Sequence, residues 1–199
     1  MDEYRTIRGP TSVKLVRKGS RFIALAHPVG SAEEAARLLK EIRARYHDAT
    51  HHCYAYRVVT DDGIAASSAD GGEPARSAGL PILRAIEARG LLNTLVVVVR
   101  YFGGTKLGLG GLIRAYGDAA REALAQAEVM TEVRKARLAL RYPLELTGEV
   151  MCLVNQYRAE IEEQDYREGQ RLVVSLPASL IAELRHALSE ATSGRVEFL

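Results

Sequence analysis

Thr94-Leu95-Val96-Val97-Val98-Val99-Arg100-Tyr101-Phe102-Gly103-Gly104-Thr105-Lys106-Leu107-Gly108-Leu109-Gly110-Gly111 is the stretch that decides the fold. From Thr94 to Arg100 it is a continuous β-branched and apolar run, the pattern of a strand buried on both faces. Glycine then fills five of the nine positions from 103 to 111, and a helical pattern starts near Leu112 and continues to about Ala127. A glycine-rich turn between a buried strand and a helix gathers successive backbone N–H groups at the positive end of the helix dipole.

Upstream, apolar and polar residues alternate through Val13 and Leu15 and again through Phe22, Ile23 and Leu25, with Arg17-Lys18-Gly19-Ser20 between them as turn chemistry, which predicts a β-hairpin. Ser31 has the chemistry of an N-cap, with Glu33 and Glu34 in the first turn. Ala35, Leu38, Leu39, Ile42 and Tyr46 follow at helical spacing, so a helix is predicted from about Ala32 to Tyr46. A strand through Cys53, Ala55 and Arg57, a turn at Asp61-Asp62-Gly63 and a short strand near Ile64 come next. The small-residue segment Ser67 to Gly79 reads as a long loop, and Pro81 suits the first turn of a helix that ends at Gly90.

Downstream, the helical pattern stops and a charged connector is read from Met130 to Lys135, so the domains are expected to be 1–132 and 133–199. From Ala136 the order is strand, helix, strand, strand, helix, strand, the ferredoxin-like βαββαβ plan. The helix carrying Val150, Leu153, Val154 and Tyr157 takes Cys152 into its core face in this reading.

Lysine and arginine total 27 against 25 acidic residues, a formal charge of +2, too little to drive nucleic-acid binding through a global field. Any anion site must be local. The longest apolar runs are far short of a membrane helix, and Met1-Asp2-Glu3-Tyr4 has no secretion pattern, so the expectation is a cytoplasmic protein without a membrane partner. Cys53 and Cys152 offer no disulfide framework.

Lys106 and Arg114 lie in and after the glycine turn, and Arg100 precedes it, so three cations are candidates to converge on one anion, with a phosphate ester or nucleic-acid backbone as the complementary ligand. The turn is not a Walker A loop, because no Gly-Lys-Ser/Thr occurs, and Gly108 to Ile113 lacks the last glycine of the dinucleotide pattern. The alternative is that the glycines serve only tight turning and close packing. Asp70 and Glu73 are placed to hold magnesium, to act as acid and base, to pair with the arginines, or simply to cap the helix that follows. His51 and His52 point to opposite faces of a strand, which argues against joint metal chelation; His51 and Cys53 share a face. Arg17, Lys18 and Arg21 form the best basic surface.

Several stretches together resemble the YigZ/IMPACT family: Ser20 to Ile23, Asp48 to Ala55, Gly72-Glu73-Pro74, Ala78 to Leu83, Val97 to Gly104 and Leu107 to Tyr116. The resemblance implies an α+β protein. Its amino-terminal domain would have the fold of domain two of ribosomal small-subunit protein five, with a left-handed βαβ crossover, and its second domain would be ferredoxin-like. Together these would resemble the last two domains of elongation factor G. Eukaryotic relatives bind the activator of a starvation-responsive translation kinase. Two departures stand out: the family's paired acids appear here as Asp70-Gly71, and its following Gly-Thr as Arg76-Ser77.

The leading reading is a non-enzymatic, phosphate- or nucleic-acid-recognising module linked to translation or its regulation, with RNA or the ribosome as partner. Its contacts would be Arg100, Gly103, Gly104, Lys106, Gly108, Gly110, Gly111 and Arg114, with His51, Asp70, Glu73, Arg76, Arg17, Lys18 and Arg21 as accessory residues. No cofactor, metal set or catalytic residue is assigned. The alternatives are a magnesium-dependent nucleotide-binding phosphotransferase or hydrolase, and a protein-binding regulator.

Overall fold

Alternation of side chains about Thr94–Tyr101 sets the layers of the first unit. In the computed structural model, which describes residues 2–60, 62–166 and 170–199, this strand (β6) is central to a five-stranded sheet. The chain order before it is β1 (Glu3–Ile7), β2 (Thr11–Arg17), β3 (Ser20–Pro28), α1 (Ala32–Arg45), β4 (His51–Thr60), β5 (Gly63–Ala69) and α2 (Gly79–Ala88). α3 (Leu109–Gln126) and β7 (Val129–Val133) follow it. The sheet order is β2-β3-β6-β4-β5, every neighbour antiparallel.

Successive residues of β6 point to opposite faces. Val97 and Val99 join Leu25 and Val58 under α1, which contributes Leu39 and Ile42. Val96 and Val98 join Phe22, Ala24, Cys53 and Ala55 under α2 and α3. Full burial of a side chain such as Ile82 or Leu124 contributes about 1.5–3 kcal/mol relative to leaving it exposed. The Ser31 hydroxyl accepts the Glu34 N–H and starts α1 where expected.

This arrangement fixes a chirality. β3 and β4 both lie antiparallel to β6 and so run parallel to one another; β5 and β6, both antiparallel to β4, also run parallel. The crossover β3–α1–β4 steps over β6, and β5–α2–β6 steps back over β4 with the strand direction reversed. A half-turn of the sheet in its own plane superposes one step on the other, so the two crossovers would share a hand only if both helices lay on one face. They lie on opposite faces. One of the two is therefore left-handed, against the strong general preference.

Three element boundaries differ from expectation. β5 continues to Ala69, so the loop starts only at Asp70. α3 starts at Leu109, three residues early, and takes Gly110 and Gly111 into its first turn. The stretch read as a charged connector contains β7, which pairs with β1, a strand that the hairpin reading passed over. Both strands are short, and charged residues interrupt their alternation. Of the turn expected at Asp61-Asp62-Gly63, Asp61 lies outside the described residues.

The chain divides at Glu132/Val133 into Tyr4–Glu132 and a second unit, Val133–Leu199 with the first residues through Glu3. The second unit contains β8 (Lys135–Tyr142), α4 (Thr147–Gln156), β9 (Glu160–Asp165), β10 (Gln170–Pro177), α5 (Ile181–Ala191) and β11 (Glu197–Phe198). Its sheet order, β11-β8-β10-β9 with all neighbours antiparallel, is the order of the βαββαβ plan. Val150 and Val154 of α4 meet Leu184 and Leu188 of α5 over Leu140, Leu172 and Val174. Cys152 is exposed, contrary to the core position read for it, because it lies two residues, about 200° of helix, from both Val150 and Val154. Among the described residues no helix is long and apolar enough to cross a membrane.

Candidate functional site

Sheet register builds the floor of the site. Phe22 of β3, Arg100 of β6 and His51 of β4 stand side by side across three strands. Arg100 is 5% exposed, and a guanidinium so placed needs an acceptor. Glu73, from the loop between β5 and α2, supplies it: Arg100 Nη1 donates to Glu73 Oε1 at 2.6 Å, and the two side chains are 6% and 4% exposed. Tyr116 of α3 donates its hydroxyl to the same oxygen at 2.8 Å. Burial pushes the Tyr116 phenol far above its ordinary range, which keeps it a donor. Arg100 Nη2 donates to Ser20 Oγ, which also accepts the Gly103 N–H, both at 3.2 Å. The expectation of Arg100 as a free cation is thus corrected: its charge is matched by Glu73, although among the described residues its buried Nε has no acceptor.

The loop that delivers Glu73 is held at its base by Asp70. One carboxylate oxygen of Asp70 accepts from the N–H groups of Ala78 and Gly79, the other from Arg76, which caps α2. Burial works to raise the Asp70 carboxyl, but the amides of Ala78, Gly79, Arg76 and Ser77 outweigh it and hold it below the ordinary carboxylate range. Of the four roles open to the two acids, Asp70 takes the cap and Glu73 the arginine pair. Arg76 is exposed, with φ 62°.

Gly71 and Gly72 bring this loop against β4. A Cβ on Gly71 would lie 2.2 Å from the His52 carbonyl oxygen, and one on Gly72 would lie 3.2 Å from His51 Nδ1. The close approach sets the Gly71 carbonyl 3.0 Å from His51 Nδ1. A carbonyl only accepts, so Nδ1 carries a proton. His51 Nε2 lies 3.8 Å from Glu73 Oε1. His52 points to the other face, toward the Tyr46 carbonyl, and burial lowers its pKa. Cys53 is fully buried, its thiol donates to the Asp70 carbonyl, and burial pushes its pKa up to about 12, so the shared face of His51 and Cys53 does not supply a thiolate.

The glycines of the turn divide by role. Gly103 is a packing glycine: a Cβ there would lie 2.0 Å from the Gly19 carbonyl carbon, so the hairpin turn abuts the glycine turn. Gly104 and Gly108 have φ values of 85° and 73°. Gly110 faces open space and Gly111 packs near Leu107. The Phe102 N–H donates to Thr50 Oγ1. From Gly104 to Lys106 the turn is exposed, and among the described residues no side chain caps the start of α3 at Gly108.

Behind the turn lies a cavity of about 440 Å³, whose lining includes His51, Glu73, Arg100, Phe102, Lys106 and Leu109. Lys106 reaches it; Arg114, exposed on the second turn of α3, does not line it. Of the hairpin cations, Arg21 stacks over the Tyr101 ring at 4.1 Å and Arg17 approaches Asp118 at 3.8 Å, while Lys18 is exposed with φ 46° as a turn residue. Sequence reasoning missed Ser20, Thr50, Phe102 and Tyr116. Tyr116 carried a signal, since a tyrosine in the apolar stripe Leu112, Ala115, Ala119 must find a partner for its hydroxyl.

A two-domain α+β protein with a buried Arg–Glu pair beneath a glycine turn has known relatives. The Impact N-terminal domain family matches residues 18–124. An IMPACT family member in the pol 5' region of Thermus thermophilus is 44% identical over 178 residues, covering 89% of this chain and 96% of that protein. The IMPACT family member YigZ of Escherichia coli strain K12 is 35% identical over 205 residues, covering 100% of this chain and 98% of that protein. The crystal structure of a hypothetical protein, 32% identical, superposes with a TM-score of 0.76 and covers 100% of this chain and 97% of that one. The chain belongs to the IMPACT family.

Proposed function

We propose that the chain recognises a phosphate-bearing ligand at the mouth of this cavity and that it acts in translation or its regulation by engaging RNA or the ribosome. The observation that carries the reading is the exposed main chain from Gly104 to the uncapped start of α3, with Lys106 on the cavity wall. Backbone amides at a helix N-terminus favour an anion, and Lys106 adds a full positive charge. The neutralised Arg100 shapes the floor and leaves Lys106 as the cation that meets the ligand. The family's likeness to domain two of ribosomal small-subunit protein five and to the last two domains of elongation factor G belongs to this proposal as fold-level analogy.

Binding to a labelled single-stranded RNA, followed by fluorescence anisotropy, tests it. Affinity is expected to fall steeply with salt, and Lys106→Ala is expected to weaken binding more than Arg114→Ala. Salt-independent binding, or equal effects of the two substitutions, counts against the site. A second reading, a protein-binding regulator like the eukaryotic relatives, is favoured by Phe102, Leu109 and Ile113, which are 48%, 56% and 39% exposed beside the same turn. Affinity purification of wild-type protein and of a Phe102→Ala/Leu109→Ala variant separates the two: loss of a protein partner with RNA binding intact supports the second.

A further inference from the structure

His51 is the part of the cavity that phosphate recognition leaves unused. Its Nδ1–H is committed to the Gly71 carbonyl. Two glycines, one of them at φ 56° with its Cβ position blocked by the His52 carbonyl, allow that carbonyl to come so close. In the neutral ring Nε2 therefore holds a lone pair, and the residue lines the cavity. The neighbouring carboxylate, Glu73 Oε1, lies 3.8 Å from Nε2, too far for a hydrogen bond. Glu73 is itself fixed by Arg100 and Tyr116, so it stays an acceptor and does not swing onto the imidazole. A ring whose tautomer is set by one backbone acceptor, beside a fixed carboxylate, in a cavity that a lysine also lines next to the exposed main chain from Gly104 to Lys106, has the components of a general-base site.

We infer that His51 is the general base of a phosphoesterase activity in this cavity, acting on phosphate esters of aromatic or other flat, apolar alcohols. The inference rests on the phosphate-site reading above and adds turnover to it. The ester group follows from the wall chemistry: Pro74, Phe102, Leu107, Leu109 and Leu112 also line the cavity, so an apolar alcohol has apolar wall to face while the phosphate lies beside Lys106. In the reaction a solvent water forms a bond from its oxygen to phosphorus and gives a proton to His51 Nε2. The bond from phosphorus to the ester oxygen breaks on the opposite side of phosphorus, and the leaving alkoxide takes a proton from solvent while the imidazolium gives its own to solvent. The products are the alcohol and phosphate, and His51 returns to its neutral form. Lys106 and the amides of the turn face the charge that builds on the phosphoryl oxygens.

The test uses the full chain with p-nitrophenyl phosphate and bis(p-nitrophenyl) phosphate as probes, and inorganic phosphate, followed by phosphorus NMR, as the binding control. Wild type is expected to release nitrophenolate above the buffer rate. His51→Gln puts a neutral side-chain amide in place of the ring and is no base. It is expected to fold and bind phosphate as wild type does, while kcat drops at least about 100-fold. Lys106→Ala is expected chiefly to weaken phosphate binding and raise KM. If phosphate binds and neither probe is hydrolysed, or if His51→Gln turns over at the wild-type rate, the base role is overturned and phosphate recognition survives. If phosphate does not bind at all, the recognition reading itself fails and takes this one with it. Circular dichroism of His51→Gln checks that the loss is chemical; should that variant unfold, His51→Asn at retained fold replaces it under the same criteria.

Discussion

The two units of the chain treat charge in opposite ways. In the second, the ion pairs among the described residues, such as Lys135–Glu160, Arg137–Glu162 and Arg195–Glu145, lie on the surface with every partner at least 36% exposed. In the first, alongside surface pairs of the same kind, Arg100 and Glu73 are both almost fully buried. The cysteines follow the same division, Cys53 buried and Cys152 exposed. A buried pair forgoes hydration that a surface pair keeps, and it rarely gains net stability over a well-packed apolar pair. Among the described residues the first unit bears that cost beneath the glycine turn, where the proposed ligand site lies.

The comparison is sharpest in thiol chemistry. With a thiol reagent at pH 8, Cys152 is expected to react at least about a hundredfold faster than Cys53, whose raised pKa and burial suppress the thiolate. Mass spectrometry of the singly labelled protein identifies the site, and comparable rates would mean that the first unit opens readily. Next in size, Glu73→Ala is expected to destabilise the first unit by about 3–5 kcal/mol in urea unfolding, since it leaves Arg100 charged and buried without its partner. Gly71→Ala follows at about 1–3 kcal/mol, from a side chain forced into left-handed backbone against the His52 carbonyl.

Asp70→Asn is expected to cost about 0.5–2 kcal/mol through its weaker cap on α2. Its pH dependence gives a signature. The Asp70 carboxyl titrates lower in the folded chain than in the unfolded one, so its stabilisation is fully present above the unfolded pKa and is lost as pH falls through the folded one. The variant should lack that acid loss, so the stability gap to wild type should narrow on acidification; a gap that widens instead would mean the carboxylate is not the cap. The smallest effect belongs to the second unit: Arg137→Ala, on a surface pair with Glu162, is expected to change stability by no more than about 1 kcal/mol. A larger loss there would erase the contrast between the units.

Much of the fold was legible in advance because the signals were local. The period of two in β2 and β3, the helical spacing after Ser31 and the β-branched run of β6 each report their own element. The site was legible in outline only. Gly103 and Gly108 look alike in sequence, yet one is demanded by contact with Gly19 and the other by a positive φ, and that contact joins residues far apart in the chain. Arg114, grouped with Lys106 by proximity in sequence, leaves the cavity because α3 begins three residues early and sets the outward angle of its side chain.

Periodicity, turn chemistry and motif order in the amino-acid string alone determined most of the elements and the family, while the short strands β1 and β7 escaped them. Only the folded chain decided which charges remain available. Arg100 and Glu73 are 27 residues apart, and nothing in their own neighbourhoods pairs them. The pairing arises because register sets Arg100 beside His51 while the Asp70 cap and the two glycines steer the loop back over the sheet. Side-chain partners depend on such long-range packing, which local pattern does not encode.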